Sequence, residues 1–184
     1  GTDNGVDAYP GGALYLKSGS QATITQSRFV GNVGRYGGAI FGSVDVDGCY
    51  FADNRADGSG AHGSSGGAIS GGGTVRRSVF RGNLATASMS AGGGALSGGF
   101  TVDQCSFIDN EGSSFGGTVY SVILGSATIT NSILRGGTAP RYAPTVSASY
   151  SNVEGGLAGV GNIDQPESLW PDLALLPDSP AIDA

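Results

Sequence analysis

Residues Gly37 to Asn54 read GGAIFGSVDVDGCYFADN. The stretch opens on a Gly-Gly-Ala-Ile box, crosses the alternating run Val44, Asp45, Val46, Asp47, and closes on the box Phe51-Ala52-Asp53-Asn54. The same plan recurs along the chain. Opening boxes GGAL, GGAI, GGAI, GGAL and GGTV start at Gly11, Gly37, Gly66, Gly93 and Gly116. Closing boxes FVGN, FADN, FRGN, FIDN and the degenerate LRGG end at Asn32, Asn54, Asn83, Asn110 and Gly137. A plan repeated every ~20 to 30 residues marks a solenoid, in which each unit buries its apolar side only against its neighbours.

Aligned on the boxes, the repeats form columns. Ile24, Val46, Val75, Val102 and Ile129 share one offset, and Ser27, Cys49, Ser78, Cys105 and Ser132 share another. Phe29, Phe51, Phe80, Phe107 and Leu134 make a third, and Leu14, Ile40, Ile69, Leu96 and Val119, which close the opening boxes, make a fourth. Strand side chains alternate between two faces, and we place these columns inside. Short parallel strands stacked ~4.8 Å apart account for columns that keep their residue type. The expected fold is all-β, a right-handed parallel β-helix of about six turns, the hand following from the near-invariant hand of parallel crossovers. A helix fails on period, and each glycine pair would cost it about 1 kcal/mol per residue. Relative to the middle repeats, the first and fifth carry additional residues, which places corner loops around Lys17 to Ser20 and Ser121 to Gly125.

Asn32, Asn54, Asn83 and Asn110 form a column at a corner. Asparagine tolerates the left-handed backbone region, and stacked amides can bond from repeat to repeat, so a structural ladder is expected. The segments between each asparagine and the next glycine pair vary most and read as surface loops. Thr145 to Val153 reads as a sixth, weaker repeat, so the β-helix is expected over residues 1–163 and an irregular C-terminal cap over 164–184. The opening GTDNGVDAYP resembles the end of an earlier repeat, which points to a mature product or a piece of a longer chain.

Composition narrows the function. The chain of 184 residues has 35 glycines, a formal charge of −6, one lysine and one histidine. Nucleic-acid binding needs clustered Lys and Arg, so no nucleic-acid partner is expected. No apolar run approaches the ~18 residues of a membrane span.

The boxes GGA[IL] and FxxN resemble the repeats of polymorphic outer-membrane and autotransporter passenger proteins. The run ATITNSILRGG, then SYSNVEGG, GNID and the ending SPAIDA, is similar to the C-terminal part of bacterial secreted proteins with a pectate-lyase-like β-helix, the choice-of-anchor group. The resemblance implies a right-handed β-helix, export from a bacterial cell and membership of a larger surface protein. It implies no single activity, because the fold serves lyases, hydrolases, adhesins and inert stalks.

An exported protein invites a disulfide between Cys49 and Cys105. Their shared column, with Ser78 between them, separates the Cα atoms by roughly 9 to 10 Å, beyond the ~7 Å limit of a bridge. Two buried free thiols are expected. The outward column Thr25, Asp47, Arg76, Asp103, Thr130 reads as a charge ladder, an arginine between two aspartates. The rival reading is a polysaccharide lyase or glycoside hydrolase acting on an acidic polysaccharide, which would use outward Asp residues as acids, bases or calcium ligands. The sequence assembles no catalytic set, metal site or cofactor motif for it, and Lys17 and His62 fall in loops. Ice binding would need unbroken Thr-x-Thr ranks, and Asp45, Asp47, Arg76 and Asp103 interrupt them.

Outward residues beside the closing aromatics form a candidate contact strip, Arg28, Tyr50, Val79, Arg81, Ile108, Ile133 and Arg135, with apolar character and periodic arginines. Tyr15, Phe41 and Tyr120 share an outward column suited to stacking on sugar rings. The expected function is a non-catalytic structural or adhesive module of a secreted or cell-surface bacterial protein. Its expected partners are itself, by end-to-end or lateral association, or a surface polysaccharide or protein.

Overall fold

The computed structural model describes residues 10–58, 63–87, 91–112, 119–120, 127–136 and 146–165. Among these, every regular element is a β-strand and the strands pair in parallel. The largest sheet stacks Leu14–Tyr15 and Gln21–Thr25, then Ile40–Asp47, Ile69–Arg76 and Leu96–Asp103, then Val119–Tyr120 and Ala127–Thr130, and last Val146–Ser149. The second runs through Arg28–Val30, Tyr50–Ala52, Val79–Arg81, Ser106–Ile108, Ile133–Arg135 and Asn152–Val153. A third joins Val33–Gly34, Arg55–Gly58, Leu84–Ala87 and Glu111–Gly112, and Ser64–Ser65 pairs with Ala91–Gly92.

The register is the one the boxes define. Ile24, Val46, Val75, Val102, Ile129 and Ala148 are successive Cα partners. Tyr15 pairs with Phe41 and Gln21 with Ser43, so Leu16 to Ser20 occupies the space of Gly42 alone. The additional residues of the first repeat are therefore a loop, closed by the Ser20 amide donating to the Lys17 carbonyl at 2.9 Å. The loop expected at Ser121 to Gly125 lies outside the described residues, as does His62.

In-register stacking puts like on like inside. Phe29, Phe51, Phe80 and Phe107 lie with centroids 4.9, 4.8 and 4.9 Å apart and ring planes within 9° of each other. Free aromatic pairs prefer offset or edge-to-face geometry; here the strand spacing of ~4.8 Å sets the separation. Leu134 and Val153 continue the column and are fully buried.

The asparagine ladder forms as expected. The backbone N–H and Nδ2 of Asn32 both donate to Asn54 Oδ1, at 3.0 and 2.8 Å. Asn54 repeats this on Asn83, and Asn83 on Asn110. Each Nδ2 of Asn54, Asn83 and Asn110 also reaches the carbonyl of Phe29, Phe51 or Phe80. One expectation is corrected. The left-handed residue is the one before each asparagine, Gly31, Asp53, Gly82 and Asp109, with φ of 66°, 53°, 59° and 53°. That residue makes the corner, so the asparagine keeps an ordinary backbone and turns its side chain inward.

A second ladder runs through Ser27, Cys49, Ser78, Cys105, Ser132 and Ser151. Each side chain donates to the carbonyl two residues before it. Most also receive the amide of the preceding repeat: Cys49 N–H donates to Ser78 Oγ at 3.0 Å, Cys105 to Ser132 at 3.1 Å and Ser132 to Ser151 at 3.2 Å. Cys49 and Cys105 are buried free thiols, as the register requires.

The far edge is covered by the chain itself, earlier than the boundary at residue 164. Tyr150 N–H donates to the Val160 carbonyl at 2.8 Å, and Ile163 takes a bond from Val153 and gives one to Ser151. Asn162 Oδ1 receives the Ser151 amide at 3.1 Å. Residues 166–184, with the apolar tail, lie outside the described residues.

Candidate functional site

The outward face of the largest sheet is a ladder of short polar side chains. Its rows are Thr23 and Thr25, Asp45 and Asp47, Thr74 and Arg76, Thr101 and Asp103, Thr128 and Thr130, and Ser147 and Ser149. Two of the three aspartates accept two hydrogen bonds each, Asp45 from both neighbouring repeats and Asp103 from the following one. Asp45 accepts from Gln21 Nε2 at 2.6 Å and from the Thr74 amide at 3.0 Å. Asp103 Oδ1 accepts from Thr130 Oγ1 and Asn131 Nδ2, each at 2.8 Å.

The charge ladder differs from the expected one. Arg76 stands between Asp47 and Asp103 in register, yet Arg77 is the residue that pairs with Asp47, through Oδ2. Arg77 has φ 44° at the corner following the strand, and its side chain returns to the preceding repeat from there. The guanidinium of Arg76 is exposed, with no hydrogen-bond or ion-pair partner among the described residues. Asp47 Oδ1 is buried without a donor. Beside them is a cleft of about 260 Å³ lined by Thr23, Thr25, Asp45, Val46, Asp47, Thr74 and Arg76.

The contact strip is less uniform than its sequence. The Arg28 guanidinium lies 4.6 Å from the Tyr50 ring centroid, a cation–π contact. Val79 and Ile108 are half-buried, Ile133 is buried and Arg81 is exposed. Arg135 is engaged within the chain: Nη1 bonds Asp164 at 3.1 Å, and Nη2 bonds Asn152 Oδ1 at 3.0 Å and the Gln165 carbonyl. It therefore fastens the segment after the last strand rather than waiting for a partner.

Tyr15 and Phe41 stack at 5.7 Å with ring planes 26° apart, and Tyr36 joins Phe41 at 6.0 Å. Tyr36 escaped the sequence reading because it falls in a variable segment outside the boxes. The backbone of Tyr120 is in register with Ser97, and its side chain lies outside the described residues. Among the described residues no group of three or more His, Cys, Asp or Glu side chains is placed to hold a metal ion. No described helix is long and apolar enough to cross a membrane. Burial pushes the Cys105 thiol up to about 12, against the opposing pull of backbone hydrogen bonds from Ser78 and Asp103.

Comparisons with protein-family models, with curated proteins and with solved structures find no match to this chain.

Proposed function

We propose that the repeats close into a right-handed parallel β-helix of about six turns, serving as a non-catalytic structural or adhesive module of a secreted or cell-surface bacterial protein. The observation that carries the reading is how the polar groups are used. The buried asparagines, serines and cysteines, and the outward Asp45 and Asp103, bond from one repeat to the next. Such use suits a rigid rod better than a lyase or hydrolase, which needs carboxylates at liberty to exchange protons. The resemblance of the boxes to exported β-helix repeats supports the same reading. Self-association is its sharper form, end to end by β-augmentation or laterally through the strip around Arg28, Tyr50 and Arg81.

The test is particle size and shape over a concentration series, by light scattering and electron microscopy. Filaments, or an assembly that grows with concentration, are expected of a structural polymer. A compact monomer at every concentration removes self-assembly and leaves the adhesive form. Depolymerisation of an acidic polysaccharide would overturn both.

A further inference from the structure

Both ladders lack a neighbour at the first repeat. Inside the stack each asparagine Oδ1 receives two donors from the repeat before it, the backbone N–H and Nδ2 of Asn32, Asn54 or Asn83. Asn32 Oδ1 receives none among the described residues, and Ser27 Oγ lacks the amide that Ser78, Ser132 and Ser151 each accept. The backbone repeats the pattern. Tyr50 N–H donates to the Ser27 carbonyl, Gly31 N–H to the Ala52 carbonyl and Arg55 N–H to the Asn32 carbonyl. Their counterparts one repeat earlier, Arg28 N–H, the Val30 carbonyl and Val33 N–H, have no partner among the described residues. The side chains agree. Ile24, Phe29 and Asn32 are half-buried where Val46, Phe51 and Asn54 are buried, and Val30 is 51% exposed where Ala52 is buried. Phe29 stacks on Phe51 with one face and on no described ring with the other. A strand edge with unpaired groups is a template for a further strand.

We infer that this edge binds an extended segment of another polypeptide chain, one carrying an aromatic residue three positions before an asparagine, added in parallel. The partner's asparagine gives its backbone N–H and Nδ2 to Asn32 Oδ1. Its aromatic ring covers Phe29, and the amide five residues before its asparagine reaches Ser27 Oγ. The chemistry is that of the molecule's own repeat-to-repeat interface, which the edge continues in the same register. Other occupants fit less well. Two such edges face to face would set Asn32 Oδ1 against Asn32 Oδ1, acceptor against acceptor. The far edge of a second copy is covered by residues 157–165, and the box after Asn110 is LRGG, with no asparagine to continue the ladder. A strand without a side-chain amide would pair its backbone and bury Asn32 Oδ1 without donors, so the asparagine sets the specificity.

This inference rests on the β-augmentation form of the proposed function and names its partner. Isotope-labelled full-length protein is titrated with a synthetic peptide of residues 72–86, GGTVRRSVFRGNLAT, and with the same peptide carrying Asn83→Ala, which has the same charge. Amide chemical shifts and amide exchange are followed. Shifts confined to Thr25 to Val33 and slower exchange of the Arg28 and Val33 amides are expected with the first peptide. The Asn83→Ala peptide should bind about tenfold more weakly, as loss of two donors to one buried oxygen predicts. Asn32→Ala in the protein should weaken the first peptide and erase its advantage over the second, which a merely stabilising Asn32 would not do. Absence of shifts, shifts centred on Asn152 and Val153, or equal affinity of the two peptides for the parent protein would overturn the proposal. So would binding that appears only after Asn4→Ala, which would assign the edge to the chain's own first residues. Particle size separates this inference from self-assembly: peptide binding by a protein that stays monomeric keeps the edge and removes the polymer. Assembly that grows with concentration while the peptide gives no response sinks the edge alone.

Discussion

Asn83 sits at the centre of the asparagine ladder and is fully buried. Its Oδ1 takes two donors from Asn54, and its own amide groups supply Asn110 Oδ1 and the Phe51 carbonyl. Asn83→Ala strands both Asn54 donors with no water to replace the partner. A loss of about 2 to 4 kcal/mol is expected in urea unfolding. Asn32→Ala should cost less than half as much, because Asn32 is half-buried and its side-chain Oδ1 accepts from no described residue. The serine and cysteine column makes the opposite prediction. Serine already occupies alternate positions with the same bond to the carbonyl two residues back, so Cys105→Ser should cost under about 1 kcal/mol.

Cys105 also gives stability a pH dependence. Its folded value of about 12 is raised above the ordinary 9.0, so the folded state keeps a proton that the unfolded state releases. The contribution is full below about pH 9 and falls as pH rises toward 12. Melting temperature should therefore decline over that window in the parent and less steeply in Cys105→Ser. Alkylation at pH 8 should spare Cys105 in the folded protein and reach it in denaturant.

At the scale of elements, the stacked phenylalanines and the glycine corners carry the load. Phe80 lies between two rings, and Phe80→Ala should cost about 3 to 5 kcal/mol, more than Phe29→Ala at the half-buried end of the stack. Gly66 has φ of 65°, and a Cβ there would stand 2.1 Å from the Ile69 carbonyl oxygen. The boxes made these elements legible in advance: strand register, inward columns, the asparagine ladder and the free thiols follow from keeping one residue type at one offset, whereas the hydrogen bonds along the serine and cysteine column are not foreseen by it. What they hid was local. The left-handed corner falls on the residue before each asparagine, where Gly and Asp alternate, so residue type alone misplaced it. Arg77 displaced Arg76 because the side chain after a corner does not obey strand alternation. The stack of Tyr36 on Phe41 joins a variable segment to a regular strand, and no column predicts it.

For the whole molecule, the decisive contact is the fastening of the far edge. Arg135 grips Asp164, Asn152 and the Gln165 carbonyl, and Asn162 ends the serine and cysteine column. Arg135→Ala should loosen residues 157–165 and expose the strand Asn152–Val153, a ready template for another chain. Faster amide exchange at Val153 and Ile163 and a concentration-dependent rise in light scattering are the expected results.

Both ladders also point one way. In each, the amide of one repeat donates to the side-chain oxygen or sulfur of the next, from Asn32 toward Asn110 and from Ser27 toward Ser151. The amide-to-side-chain sense of both columns therefore runs one way along the stacking direction, and the two ends present different hydrogen-bonding groups. Copies joined through those ends would align head to tail, and the fibre they form would carry an arrow.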